Sequence, residues 1–358
     1  YLAIGAAVGW MYTRLPTSFL PQEDQGYIIV NIQLPAGATL ERTQAVVEQV
    51  EGYLLKQPEV ANMVAVMGFS FSGQGQNAAL SFVSLKPWDE RKGAEHGADA
   101  VAGRAMGALS GVKDAFIFSL SPPPIPELGV SAGFNMRLQD RSSQGHDALL
   151  AARNQLLGMT AQSKVVSGVR PNGLEDAPQL RVDINRDQAA AQGVSFSAIN
   201  SAISTALGSS YVNDFPNAGR MQRVVVQADA AARMQPEDIL RLTVQNSAGQ
   251  AVPLSAFATT SWVTGPMQTV RYNGYPAMRI EGAAAPGQST GQAMAEMEAL
   301  AAKLPPGFGI EWTGQSREEK LAGNQAILLY AFAILAVFLA LSALYESWSI
   351  PLAVILVV

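Results

Sequence analysis

Apolar and polar positions alternate at residues 27–34: Ile28, Val30, Ile32 and Leu34 share one side, Asn31 and Gln33 the other. That two-residue period predicts a half-buried strand. Pro35 and Gly37 interrupt it, and Thr39 stands where a helix N-cap belongs. Val46, Val47, Val50, Tyr53 and Leu54 then recur at helical spacing as far as Pro58, after which 60–66 resumes as a strand. The same order returns with a strand at 80–85, a helix at 98–109 and a strand at 115–120. A third unit follows, with strands at 134–138 and 164–169 around a helix at 146–157. The fourth opens on a hairpin whose Asn273-Gly274 suits a type I′ turn. Its helix begins with the capping box of Ser289 and Gln292 and buries Ala293, Met294, Met297, Leu300 and Leu304, and a strand at 308–312 closes it.

Residues 176–265 have a different character and separate the third and fourth units. They predict a strand at 180–184, a helix near 196–207, an unassigned segment at 209–227, and a hairpin of 242–244 with 251–254 around the tip 245–249. An insertion into a split domain accounts for this order. The class expected is therefore α+β: repeated β-α-β units with an inserted α+β domain, flanked by transmembrane helices. The flanking helices are read from hydropathy. Residues 324–345 carry no charge over 22 positions, a helix of about 33 Å against a hydrocarbon layer of roughly 30 Å. Residues 1–12 and 350–358 are also apolar, and the expectation is a piece of a larger polytopic protein.

Composition narrows the chemistry. The chain has no Cys and two histidines, His96 and His146, which leaves no thiolate metal site and argues against a histidine-rich metal site or a serine-protease triad. A net charge of −5 gives no reason to expect nucleic acid. Gly73-Gln-Gly75-Gln-Asn-Ala78 matches the dinucleotide fingerprint in letters only, because a strand pattern follows it where a helix N-terminus is needed. The stretch reads better as a glycine-hinged loop carrying Phe69 and Phe71. Both rings either line a cleft or plug the local core, and spacing does not choose. Phe82, Phe116 and Phe118 sit on strands that could face a shared cleft, but their spacing favours ordinary core. The adjacent carboxylates Glu175-Asp176 and Glu318-Glu319 offer no acid–base geometry across a substrate, so no catalytic residue, cofactor or metal is expected.

Several stretches carry a family resemblance, in order along essentially the whole chain. They are Phe19-Leu-Pro-Gln-Glu-Asp-Gln-Gly26, Gln33-Leu-Pro-Ala-Gly-Ala-Thr39, Gly75-Gln-Asn77, Arg170-Pro-Asn-Gly-Leu-Glu-Asp176, Ser210-Tyr-Val-Asn-Asp-Phe215 and Ala343-Leu-Tyr-Glu-Ser-Trp-Ser-Ile-Pro351. Together they resemble the resistance-nodulation-division (RND) multidrug efflux pumps of the AcrB/MexB type. The resemblance implies an end of a membrane helix at 1–13, a first porter subdomain at 14–122 and a second porter subdomain split between 123–175 and 266–315. It further implies a funnel or docking domain at 176–265, a lead-in and transmembrane helix at 316–346, and the start of another at 347–358. The porter subdomains would be ferredoxin-like sandwiches.

Carried over residue by residue, the switch loop is Gly68 to Gln76, with Ser70, Gly73, Gln74 and Gly75 between. Phe69, Phe71 and Phe82 would line a deep pocket, and Phe118, Leu120, Glu127, Arg170 and Asn172 the entry side. The tip Asn246, Ser247, Ala248 and Gly249 would touch an outer-membrane channel protein. Val64, Gln74, Phe116, Leu120 and Pro122 depart from the best-known members, which puts the drug spectrum in question. The function implied is proton-driven export of drugs and other amphiphiles, with proton-carrying residues outside these positions. Small amphiphilic substrates, a periplasmic membrane-fusion adaptor, membrane lipid and a homotrimer complete the expected partners. The expected location is the inner membrane of a Gram-negative bacterium, with the main domain in the periplasm. The alternatives are a relative moving metal ions or assisting protein export, and a membrane-tethered periplasmic enzyme.

Overall fold

The computed structural model describes residues 2–14, 23–123, 125 and 133–355. The chain divides into two compact units, one of Tyr1–Leu174 with Gln268–Val358, the other of Glu175–Met267.

The first unit opens with helix α1 (Leu2–Arg14) and then builds a sheet from β1 (Tyr27–Gln33), α2 (Leu40–Leu54), β2 (Val60–Ser70), β3 (Gly73–Leu85), α3 (Ala98–Leu109) and β4 (Phe116–Leu120). The strand order is β2-β3-β1-β4, and every pairing is antiparallel. Ile28, Val30 and Ile32 point to one face, where they are sealed under Val46, Val50, Val101 and Ala105 of the two helices. Local chemistry places those helices. The Thr39 hydroxyl accepts from the Arg42 N–H at 3.4 Å and starts α2. Asp24 performs the corresponding task for α3, accepting from the Ala98 N–H at 2.8 Å while it also holds the Gly26 N–H at 2.9 Å and Arg91 Nη2 at 2.7 Å.

A second sheet begins with β5 (Phe134–Asp140), α4 (His146–Thr160) and β6 (Val166–Pro171). The chain then leaves for the other unit, made of β7 (Ala177–Ile184), α5 (Arg186–Ala191), α6 (Phe196–Ile203), β8 (Ser210–Asn217), β9 (Arg220–Val226), α7 (Pro236–Arg241), β10 (Thr243–Gln245), β11 (Ala251–Pro253) and β12 (Ala258–Gly265). It returns through β13 (Arg271–Tyr272), β14 (Tyr275–Ala284), α8 (Thr290–Ala301) and β15 (Phe308–Trp312), and ends in α9 (Gln315–Tyr345) and α10 (Ile350–Ile355). In the second sheet β14 pairs with β5, β6 and β13, and β5 also pairs with β15. Met136, Leu138 and Ile280 meet Leu156, Met294 and Met297 of α4 and α8 in a separate core. In the inserted unit, Ile199, Leu254 and Phe257 centre a third core, while every strand residue of β9 is exposed.

Local signals are read correctly where one or two residues decide the geometry. Asn273 and Gly274 both take positive φ, 49° and 84°, as a type I′ turn requires. The capping box forms as well: the Gln292 N–H donates to Ser289 Oγ at 3.1 Å, and the Ser289 N–H donates to Gln292 Oε1 at 2.8 Å. Ser289→Ala is expected to cost about 1 kcal/mol. It should appear as faster amide exchange in the first turn of α8, with Ser289→Thr close to the parent.

One expectation needs correction. Residues 68–76 are not a loop: β2 runs on to Ser70 and β3 starts at Gly73, leaving Phe71 and Ser72 as a tight turn. The sequence pattern hides this because the strands do not pair in even register. The expected membrane span at 324–345 falls partly outside the described residues. Among the described residues no helix is long and apolar enough to cross a membrane. α9 is continuous from Gln315 to Tyr345, and the side chains at 323–328, part of the expected span, fall outside the described residues.

Candidate functional site

Because directly opposed residues of neighbouring strands point to the same side, the register of the first sheet defines the face turned away from α2 and α3. Val64, Phe82, Ile29 and Leu120 form one row across it; Val66, Leu80, Asn31 and Phe118 form the next; Ala78, Gln33 and Phe116 begin a third. Val64 and Phe116 are each 60% exposed and Phe82 is 40% exposed. Phe118 and Leu120 are half-buried. The second face of the sheet is thus largely apolar and aromatic, where a sheet with one wet face would be polar.

The hairpin of β2 and β3 folds back over this face. Its register breaks between Met67 opposite Ala79 and Phe69 opposite Gln74, so that Gly68 alone faces the four residues 75–78. Such a bulge bends the strand that carries it, and Gly68 takes φ 90° at the bend. Polar side chains of β1 then hold the tip. The Phe71 N–H donates to Asn31 Oδ1 at 3.1 Å, and the Ser70 hydroxyl donates to Gln33 Oε1 at 3.0 Å. On the trailing side the Thr43 hydroxyl donates to the Gln76 carbonyl at 2.7 Å. Asn31 is 1% exposed, and its Nδ2 has no hydrogen-bond partner among the described residues.

A charged residue of the second sheet reaches the first. Arg170 on β6 places its guanidinium carbon 4.5 Å from the ring centroid of Phe118. The same guanidinium reaches Glu281 Oε2 at 3.4 Å, and Asn172 Nδ2 donates to Glu281 Oε1 at 2.8 Å. Burial pushes Arg170 below its ordinary pKa, and Glu281 partly offsets that. A methyl group placed on Gly73 would lie 3.8 Å from Leu174 Cδ1, so the bent hairpin also approaches the end of this segment.

The residues singled out from sequence fall into three groups. Phe82, Phe118 and Leu120 share the open sheet face, with Phe71 tethered to it through its backbone and Arg170 and Asn172 gathered at Glu281. Phe69 lies on β2 opposite Gln74 and is 42% exposed, while Gln74 and Gln76 are exposed. Glu127 lies outside the described residues. In the inserted unit, residues 246–249 form the turn between β10 and β11. There the Ala248 N–H donates to Asn246 Oδ1 at 3.0 Å, Gly249 takes φ 77°, and Ser247, Ala248 and Gly249 are exposed. Sequence reasoning missed Asn31 and Gln33 as anchors, although both were visible as the polar side of an otherwise apolar strand. It also missed Glu281, a single carboxylate on β14 with nothing local to mark it. Among the described residues no group of three or more His, Asp or Glu could hold a metal ion.

Comparison with known proteins gives the family. The sequence profile of the AcrB/AcrD/AcrF family matches residues 1–358. The multidrug export protein AcrF of Escherichia coli strain K12 is 54% identical over 362 residues, covering 100% of this chain and 35% of AcrF. The multidrug/solvent efflux pump membrane transporter MepB of Pseudomonas putida is 50% identical over 360 residues, covering 100% of this chain and 34% of MepB. The multidrug resistance protein MdtF of Escherichia coli strain K12 is 51% identical over 361 residues, again across 100% of this chain and 35% of MdtF. The chain therefore spans about a third of the length of these relatives. With the whole chain matched by the profile and by transporters at 50–54% identity, it belongs to the AcrB/AcrD/AcrF family of RND efflux transporters.

Proposed function

We propose that this chain forms the cargo-handling part of a proton-driven exporter of drugs and other amphiphilic compounds. The two sheets act as ferredoxin-like porter subdomains, and the unit at Glu175–Met267 acts as the docking domain. The observation that carries the reading is the aromatic face of Phe82, Phe118 and Leu120 under a bent hairpin, with Arg170 stacked on one ring. Weak, non-directional contact of this kind grips many apolar shapes and releases them again. Protons moving through parts of the protein beyond these residues would drive the porter subdomains between open and closed arrangements, with the hairpin at 68–76 controlling access. The activity is transport, not catalysis. The full protein works as a homotrimer in the inner membrane of a Gram-negative bacterium, among membrane lipid, with these units in the periplasm. It works with a membrane-fusion adaptor and touches an outer-membrane channel protein through residues 246–249.

Phe82→Ala tests the cargo face. Covering the exposed 40% of that ring is worth roughly 1 kcal/mol. Affinity for a bulky neutral amphiphile should therefore fall about fivefold, and drug resistance of cells expressing the full-length transporter should fall with it. Unchanged resistance at equal expression would remove Phe82 from the site.

A further inference from the structure

The second sheet also has a face turned away from its helices, and its character is the reverse of the first. Ile280, Met136 and Leu138 point into the core. Their neighbours on the strands, Arg279 and Glu281 of β14 and Arg137 of β5, point the other way. Arg279 stands directly opposite Arg137, and Glu281 stands opposite Arg170. Three guanidinium groups thus share one sheet face with two carboxylates, Glu281 and, directly opposite Arg137 on β15, Glu311.

Both carboxylates are already committed. Glu281 is 1% exposed and receives Arg279 Nε at 3.1 Å, Asn172 Nδ2 at 2.8 Å, Asn135 Nδ2 at 3.2 Å and Arg170 Nη2 at 3.4 Å. Glu311, on the strand at the other side of Arg137, makes no ion pair with it among the described residues; its two oxygens accept from Gln139 at 2.8 Å and Asn273 at 2.6 Å. Arg137 is left over. Among the described residues it makes no hydrogen bond or ion pair, and its Nε is buried without a partner. Its guanidinium carbon lies 5.5 Å from the Tyr272 ring centroid, so the group is held in place. Burial, then the charge of Arg279, push its pKa down. A fixed cation with an unanswered donor, beside a second cation directly opposite, is an incomplete arrangement.

We propose that the open face of the second sheet binds the anionic group of an amphiphile, a carboxylate, sulfate or sulfonate, through Arg137 and Arg279. The apolar body of the same molecule lies toward Phe118, which Arg170 links to this face. This rests on the transport reading above and adds the sign of the charge that the site prefers.

The test uses the purified full-length transporter and two fluorescent probes with the same apolar body, a dansylated fatty acid and its methyl ester. Arg137→Gln should weaken binding of the acid roughly tenfold, the scale of one hydrogen bond to a charged group. It should leave the ester within twofold, and Arg137→Lys should recover part of the loss. Arg279→Gln, the second variant, should show the same bias toward the acid. Equal losses for both probes, or no loss for either, would overturn the proposal. Parent protein that binds the ester but not the acid would overturn it alone, and parent protein that binds neither would overturn the transport reading with it.

Discussion

Replacing Asp24 with Ala is expected to destabilise the first sheet by about 3 kcal/mol, the scale for removing one partner of a buried pair. Arg91 is the reason. Its side chain is 2% exposed, and apart from Asp24 its acceptors among the described residues are the backbone carbonyls of Lys86 and His96. Without the carboxylate a buried cation is stranded, and the Ala98 and Gly26 amides lose their acceptor as well. Hydrogen exchange of β1 and α3 amides at neutral pH should report the loss. Exchange within threefold of the parent would show that the pair is not holding α3 in place.

The same residue makes an acid limb. The hydrogen bond from Arg91 is the largest influence on Asp24 and takes its pKa far below the usual carboxylate range, against the opposing effect of burial. A carboxyl whose pKa is depressed in the folded state stabilises the fold above its unfolded pKa, near 3.9. That contribution is lost as pH falls further toward the folded value. The parent should therefore lose stability below about pH 4 more steeply than Asp24→Asn, which cannot titrate there. Other carboxylates also weaken in acid, so the difference between parent and Asp24→Asn is the quantity to measure.

These two features also mark where a sequence can be read. Thr39, Ser289, Asn273 and Gly274 act through neighbours within three residues, and each takes the conformation that its type and spacing predict. Asp24 stood in a motif that carried the family resemblance, yet its partner Arg91 is 67 positions away and nothing local names it. The pairing of β7 with β12 is similar, since Trp262 meets Leu180 across an insertion of helices and hairpins, and β12 was not foreseen. β8 and β9 escaped notice for another reason. Both faces of that hairpin are exposed, so no two-residue period of burial was there to be read. On β14 the pattern Arg279, Ile280, Glu281 reads as an ordinary wet strand face. Only the three-dimensional register brings Arg137, Arg170 and Glu311 beside it and shows three cations sharing two carboxylates that other groups already hold.

The hairpin at 68–76 was read as flexible because of its glycines, and the structure gives one of them a sharper task. Gly68 is the single residue opposite 75–78, at φ 90°, and an added Cβ there would meet nothing within 4 Å. Packing therefore does not oppose a side chain at this position; the backbone does. A β-branched residue held at such φ costs roughly 1–3 kcal/mol. The bent form has little to spare against that cost. Its tip is held mainly by Phe71 to Asn31 and Ser70 to Gln33, while the buried Asn31 Nδ2, without a partner among the described residues, works against it. Gly68→Val should thus move the hairpin toward a straight form by about 2 kcal/mol, roughly thirtyfold, with Gly68→Ala intermediate and Gly68→Asn mildest. The Phe71 amide should lose exchange protection in that order. If the hairpin governs access to the aromatic face, efflux of bulky amphiphiles should fall in the same order while small cargoes are spared. Protection of Phe71 within twofold of the parent in Gly68→Val would mean that the bend is imposed from elsewhere. Efflux that falls for cargoes of every size would mean that the bend supports the fold rather than the choice of cargo.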